Sequence, residues 1–320
     1  MAVTEEEVRW CYRSILGREP ESAEIVQQKA AAERDFRTLV LGFIASGEYR
    51  LKVTRPALVP LDRAEIDVQT SASPVELTLL EDRIRETWTQ LGLDRPHDSV
   101  LSGEDYLPEN IDEESVARFF ASGVEELVTI EAILSRAGFV AHAAKTCVEF
   151  GCGLGRVTFA LGAVFKTVHG YDISANHLEL ARRHAAEVGM SNVEFHLCPV
   201  GALGETLAPC DFFYSRLVFQ HNPPPLIRAL IRAALASLRP GGIAIFQVPT
   251  YGIDYSFSTK GYLAGPRRRD IEMHCIPQRD VFAEIAAARC TLLEVDEDTA
   301  IGQHGEWISN TFVVQRPEAA

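Results

Sequence analysis

No run of eighteen consecutive apolar residues occurs in this 320-residue chain, so no segment has the length and uniformity of a membrane-spanning helix. Basic residues are few beside acidic ones, 31 against 45, and a formal net charge of −14 argues against nonspecific binding to nucleic acid or to an anionic membrane. The seven cysteines, Cys11, Cys147, Cys152, Cys198, Cys210, Cys275 and Cys290, are odd in number, scattered and without a CxxC pair. That spacing excludes a zinc knuckle and a disulfide framework and suits a reducing compartment. The opening residues MAVTEEEVRW lack the basic and apolar regions of an export signal, and a cytoplasmic location is expected. No internal repeat is evident. What is present is ordinary for a folded protein, 47% apolar and 24% charged residues over a length that suggests about two domains.

The acidity is uneven. Residues 1–140 carry 15 basic and 27 acidic residues, whereas 141–320 carry 16 and 18, which predicts two regions with different surfaces. Thr4 and Glu7 have capping-box spacing, and Val8, Cys11, Tyr12, Ile15 and Leu16 fall on one helical face. Helical patterns recur over Ser22–Ala32 and Asp35–Ser46, so residues 1–55 are read as a small all-α unit. The strings CYRSILGREPES and FIASGEYR resemble a short helical module, with a YR-x-(I/L)LGR…S-x-EY signature, that is attached to bacterial surface-glycan enzymes and secreted proteins. The resemblance implies an accessory role, with a protein partner or self-association through these helices. Residues 51–73 read as a proline-bracketed linker, Val75–Leu91 as a helix, 93–110 as a lid or pocket segment, and Asp112–Ala137 as a helix interrupted near Gly123. Residues 56–139 are therefore expected to be linker and capping helices over the next domain.

From residue 145 short apolar strands alternate with helices. Strands are predicted at 146–150, 168–171, 193–197, 211–215 and 243–248, with closing strands at 291–295 and 307–314. Such alternation specifies an α/β fold with a Rossmann-like, mostly parallel sheet and a crevice at the carboxyl ends of its strands. The first strand runs into Glu149-Phe150-Gly151-Cys152-Gly153-Leu154-Gly155-Arg156. Glycines at 151, 153 and 155 permit a sharp turn and close ligand approach, while the following helix start offers N–H donors. A dinucleotide fingerprint wants its third glycine where Arg156 stands, which weakens a nicotinamide reading. Asp172 ends the second strand, placed to accept hydrogen bonds from both hydroxyls of a ribose; capping of the following helix is the plainer role, and Ser174 can fill it.

EFGCGLGR, GYDIS and SLRPGGIAIFQVP, in that order, closely resemble the glycine loop, ribose acid and pre-strand turn of class I S-adenosylmethionine-dependent methyltransferases. The resemblance spans about residues 140–250 and implies a seven-stranded sheet within a domain over 140–316, the all-α segment preceding it. It implies cofactor contacts from Glu149, Gly151, Cys152, Gly153, Gly155 and Arg156, ribose binding by Asp172 and an adenine contact from Ile173. One departure stands out: the aspartate that many members carry after the third strand is missing, so backbone groups around Cys198, Pro199 and Val200 are expected to serve adenine. The fourth strand and the stretch after it would lie beside the transferable methyl. Ser215 and Gln220 are assigned there to the cofactor, Arg216 and Asn222 to the acceptor.

A hydroxyl acceptor must lose its proton during methyl transfer, and His221 is the first candidate base because histidine titrates nearest neutral pH. His274 is the second. Residues 249–279 form an aromatic and basic insertion in an acidic protein, and Tyr251, Tyr255, Tyr262 and Arg268 are expected to bind a sugar-like or small polar acceptor. A solvated loop paired with acidic helices is the plainer alternative. His274, His304 and Glu306 match no short metal motif, and no metal is assigned. The expected activity is O-methylation of a small-molecule or glycan acceptor. The alternatives are N- or carboxyl-methylation of a metabolite and a non-catalytic cofactor-binding module.

Overall fold

The computed structural model describes residues 3–16, 18–46, 49, 62–141, 145–198, 207–267, 270–298, 301 and 306–318. The chain divides into two compact units, Met1–Arg63 with Gly302–Glu306, and Ala64–Ile301 with Trp307–Ala320.

In the first unit, α1 (Glu5–Ser14), α2 (Ala23–Ala32) and α3 (Phe36–Ala45) each begin at a side-chain cap, from Thr4, Ser22 and Asp35. The Thr4–Glu7 capping box is formed. Val8, Cys11, Tyr12, Leu16, Val26, Leu39 and Phe43 make a small core, with Tyr12 and Phe43 in edge contact at 4.9 Å. Short helices of this length are marginal alone, and the shared apolar face supplies their stability.

The second unit opens with α4 (Pro74–Asp94), α5 (Pro96–Val100) and α6 (Glu113–Arg136). Part of the expected linker is ordered backbone, since Val68 bridges Phe257 and Gln69 N–H donates to Phe257 O at 2.9 Å. The expected interruption of α6 at Gly123 does not occur. A Cβ there would fall 1.9 Å from Arg156 O, so the glycine permits close crossing of two helices rather than a break.

The sheet follows as β1 (Thr146–Phe150), α7 (Arg156–Gly162), β2 (Thr167–Asp172), α8 (Ala175–Glu187), β3 (Val193–Leu197), β4 (Cys210–Ser215), α9 (Pro224–Ser237), β5 (Leu238–Gly252), α10 (Thr259–Ala264), α11 (Gln278–Ala287), β6 (Thr291–Asp298) and β7 (Trp307–Gln315). Its order is β3-β2-β1-β4-β5-β7-β6, with β7 antiparallel to both neighbours and the other pairs parallel. This is the expected class I methyltransferase architecture. Both faces are covered: α6, α7 and α8 pack Leu127, Ile130, Leu161 and Leu178 on one side, α9 and α11 pack Ile227, Ile231, Val281 and Ile285 on the other. Each such side chain contributes about 1.5–3 kcal/mol of burial, which accounts for strands that are apolar on both faces. Pro224 and Pro225 occupy the first turn of α9, where no N–H is needed. β5 is longer at both ends than its apolar run, because Leu238 pairs with Cys210 and Gly252 with Trp307. The segment expected as an insertion from 249 therefore starts as sheet.

Candidate active site

A cleft at the carboxyl ends of β1, β2 and β4 encloses about 1120 Å³, part of it open solvent. A small-molecule site has this place in a parallel α/β sheet.

Its floor is the glycine loop. Gly151 (φ 78°) and Gly153 (φ 52°) adopt left-handed backbone, and a Cβ on either would meet Val218 at 2.3 Å or Val100 at 2.6 Å. Only glycine leaves this cradle unfilled. Gly151 and Cys152 N–H donate to Tyr171 O at 2.7 and 3.0 Å, and Gly153 N–H donates to Asp172 Oδ2 at 2.8 Å, which ties the loop to the end of β2. The other Asp172 oxygen accepts from Ser174 N–H at 2.8 Å, while Ser174 itself caps α8. Asp172 is thus a buried carboxylate fixed in orientation at the rim of the cleft, and the capping role falls to its neighbour.

Glu149, Gly151, Cys152, Gly153, Arg156, Asp172, Ile173, Cys198, Arg216, His221 and Asn222, all singled out in the sequence, line this one cleft. Glu149 is buried and its carboxyl is pushed up to about 7 by desolvation, against the hydrogen bond from Thr158 Oγ1 and the charge of Arg156. Burial also raises the Cys198 thiol, with Asp172 adding to the effect, so Cys198 is a neutral wall residue. Arg156 donates to Ser122 Oγ at 3.2 Å. Arg216 is held by Glu126 at 2.8 Å and faces Asp298 at 3.5 Å, so its charge is largely matched within the protein. Asn222 Nδ2 donates to Val218 O at 3.0 Å, leaving its amide oxygen for other contacts.

His221 has the most elaborate support. Its Nδ1 lies 2.9 Å from Glu272 O, a pure acceptor, so Nδ1 carries the proton and Nε2 the lone pair. Gln220 Nε2 lies 3.3 Å from that Nε2, Gln247 donates to Gln220 Oε1 at 3.1 Å, and Gln247 also meets Ser309 Oγ at 2.5 Å. The Trp88 ring lies 5.3 Å from the imidazole. Burial pushes the His221 pKa down to about 4, with His274 adding charge repulsion against the hydrogen bond to Glu272 O.

Not every residue singled out in the sequence lies on this cleft. Gly155, Ser215, Gln220, Tyr251, Tyr255, Tyr262 and His274 lie outside the lining of the cleft. Gly155 is the left-handed start of α7 and packs on Phe159. Ser215 Oγ is buried and donates to Phe150 O at 2.9 Å, a strap between β4 and β1. Gln220 is buried between Gln247 and His221 and contacts both. The three tyrosines are spent internally: Tyr251 OH on Ala64 O at 3.0 Å, Tyr255 OH against His274 Nδ1 at 2.8 Å, and Tyr262 OH on Glu272 Oε2 at 2.5 Å. Arg83 stacks 4.1 Å over Tyr262 and donates to Tyr262 O at 2.6 Å. His274 is therefore a buried member of this cluster, not a base facing the cleft. From the 249–279 segment Glu272 presents its carbonyl oxygen to His221 Nδ1. Pro199, Val200, Arg268 and His304 lie outside the described residues.

The sequence reading placed part of the roof in 93–110 and missed the part built by α4. Glu81, Ile84 and Trp88 of α4 line the cleft, together with Ser99, Val100 and Leu101 from the segment expected as a lid. Arg85 donates to Cys198 O at 2.6 Å and to Ile173 O at 3.3 Å, clamping the two loops that end β2 and β3. The positions 81, 84, 85 and 88 share one helical face, a signal that was present but carried no motif.

Comparisons with known proteins fall on the same segment. Residues 147–242 match the family described as methyltransferase domain. A ubiquinone biosynthesis O-methyltransferase of Actinobacillus pleuropneumoniae serotype 5b is 29% identical over 108 residues, 32% of this chain and 45% of that protein. One from Pseudomonas fluorescens is 32% identical over 109 residues, 34% of this chain and 46% of that protein. The chain thus spans less than half the length of these curated relatives. Among solved structures, magnesium protoporphyrin IX methyltransferase from Synechocystis PCC 6803 with bound SAH superposes with a TM-score of 0.52 at 16% identity, over 74% of this chain and 99% of that one. It shares the fold. Among the described residues no helix is long and apolar enough to cross a membrane.

Proposed function

We propose that this chain, a class I methyltransferase by fold and by its matched domain, transfers the methyl group of S-adenosylmethionine to a hydroxyl of a small acceptor. One observation carries the reading: a glycine cradle, a fixed ribose-type carboxylate and a neutral histidine with its lone pair on Nε2 converge in one cleft. The cofactor supplies an electrophilic methyl on a sulfonium, and the protein's work is alignment.

Asp172 holds the two ribose hydroxyls, its orientation pre-set by Gly153 and Ser174. Glu149 faces the cationic end of the cofactor from the end of β1. Ile173 and Ile84 bound the adenine. Glu81 supplies the carboxylate for the adenine amine that the stretch after β3 lacks: it is buried, lines the cleft and is close enough to Cys198 to raise its thiol after burial and Asp172. His221 Nε2 accepts the acceptor hydroxyl's proton by exchanging its 3.3 Å contact with the Gln220 amide for the hydroxyl, while Nδ1–H stays anchored on Glu272 O.

The ring of Trp88 beside His221, with Leu226 and Val218 in the lining, favours an apolar or aromatic hydroxyl acceptor over a sugar. The relatives named as ubiquinone biosynthesis O-methyltransferases point the same way. A glycan acceptor has less support once the hydroxyls of Tyr251, Tyr255 and Tyr262 are engaged within the protein. A second reading has its own observation: a histidine with a pKa near 4 is a weak base, which suits a carboxylate or nitrogen acceptor that needs no strong one. The first three helices keep the accessory partner role read from their motif, and the seven free cysteines suit a cytoplasmic setting.

Calorimetric titration with S-adenosylmethionine, S-adenosylhomocysteine and NAD, followed by an acceptor screen comparing phenols with carboxylates, tests the reading. Adenosyl binding with turnover on phenols supports it; turnover on carboxylates only favours the second reading. NAD preferred over both adenosyl ligands overturns both.

A further inference from the structure

Outside the cleft, three metal-ligating side chains converge at the edge of the sheet. β3 is the outermost strand at that end, and His169 of β2 stands in register with Glu194 of β3. Side chains alternate along a strand, so Glu194 and His196 share a face. His169 Nδ1 lies 3.0 Å from His196 Nε2 and 3.3 Å from Glu194 Oε2, and His196 Nε2 lies 3.7 Å from the same carboxylate oxygen. Ligand atoms around a tetrahedral ion with bonds of about 2.0–2.2 Å stand about 3.3–3.6 Å apart. The three observed distances bracket that edge length.

We propose that His169, Glu194 and His196 bind a divalent transition-metal ion, zinc by preference, that clamps the edge strand β3 to β2. Two imidazoles and a carboxylate form a borderline donor set suited to zinc and late first-row ions. A proton shared between the imidazoles would satisfy the two rings alone. The carboxylate oxygen within 3.7 Å of both nitrogens adds the negative charge that a divalent ion needs. Side-chain exposure rises from 17% at His169 through 37% at His196 to 56% at Glu194, so the outward face is open for a water as fourth ligand. The setting is partly preorganised. Tyr171 stacks on the His196 ring at 4.8 Å, and Arg182 is engaged with Phe195 O at 2.8 Å. Because Tyr171 O also receives the Gly151 and Cys152 N–H groups, the clamp abuts the support of the glycine loop. The proposal does not depend on the methyl-transfer reading.

Full-length protein without an affinity tag, stripped with chelator and titrated with zinc, is expected to take up one ion per chain at this site and to melt at higher temperature. Cobalt(II) should develop visible ligand-field bands that zinc then removes. His196→Ala and Glu194→Gln should each weaken zinc binding about tenfold or more. Glu194 is exposed, so its variant tests the site even if the histidine variant folds poorly. No uptake by the wild type, or uptake unchanged in Glu194→Gln and in folded His196→Ala, would overturn the proposal, the second result placing the ion elsewhere.

Discussion

Along the β1 to β3 side of the cleft the supporting contacts are largely main chain: Gly151, Cys152 and Gly153 N–H groups tie the loop to Tyr171 O and Asp172. Along the side built by α4 and the turn after β4 they are side chains held by other side chains, as in the path Ser309–Gln247–Gln220–His221. The first construction depends on backbone conformations that few residues tolerate, the second on relayed hydrogen bonds from elements far apart in the chain. A backbone cradle tolerates change around it and fails abruptly when a glycine is replaced; a relay degrades link by link.

The largest expected effect lies on the relay side. If a hydroxyl is the acceptor, His221→Ala lowers kcat about 10²–10⁴-fold while cofactor affinity by calorimetry stays close to wild type. A carboxylate acceptor leaves the rate nearly unchanged. On the cradle side, Asp172→Ala removes a charged acceptor of two hydrogen bonds, and cofactor Kd is expected to rise about 100-fold. Glu81→Ala tests whether α4 completes the adenine site; a rise of about tenfold in Kd for S-adenosylhomocysteine is expected, and an unchanged value would remove Glu81 from the site.

A subtler difference is in proton uptake. The folded pKa of Glu149 is raised from 4.5 to about 7 by burial, so its protonated form favours the fold. Stability is therefore expected to fall as pH rises from about 4.5 through about 7, and urea midpoints for Glu149→Gln should lose that slope. Cofactor binding near pH 7 should release a fraction of a proton in the wild type only, seen as a buffer-dependent enthalpy. The smallest effect is expected from Tyr255→Phe, which removes one hydrogen bond to His274 for about 0.5–1.5 kcal/mol of stability and leaves Kd and kcat close to wild type. A large loss of acceptor affinity there would return the tyrosine to the cleft.

The same contrast sets how far the site was legible beforehand. Gly151, Gly153 and Asp172 could be read because a strand, a tight turn and a helix start place them by local geometry. His221 could be found by its position after the fourth strand, but not its tautomer, which depends on Glu272 O, 51 residues away. That Tyr251, Tyr255 and Tyr262 lie off the cleft lining could not be read, because aromatic composition is the same for a binding wall and for a brace. Glu81 and Trp88 went unread because a cleft-facing helix and a surface helix carry the same periodicity.

By itself the sequence determined the alternating α/β order, the capped helices at the N-terminus and the glycine cradle with its acid, since each follows from dihedral preference, periodicity or capping within a few residues. Only the tertiary structure decided which helix roofs the cleft, that Glu272 O supports His221, and that His169, Glu194 and His196 meet at the sheet edge. Those outcomes arise from packing and strand register between segments distant in the chain, and no local spacing encodes them.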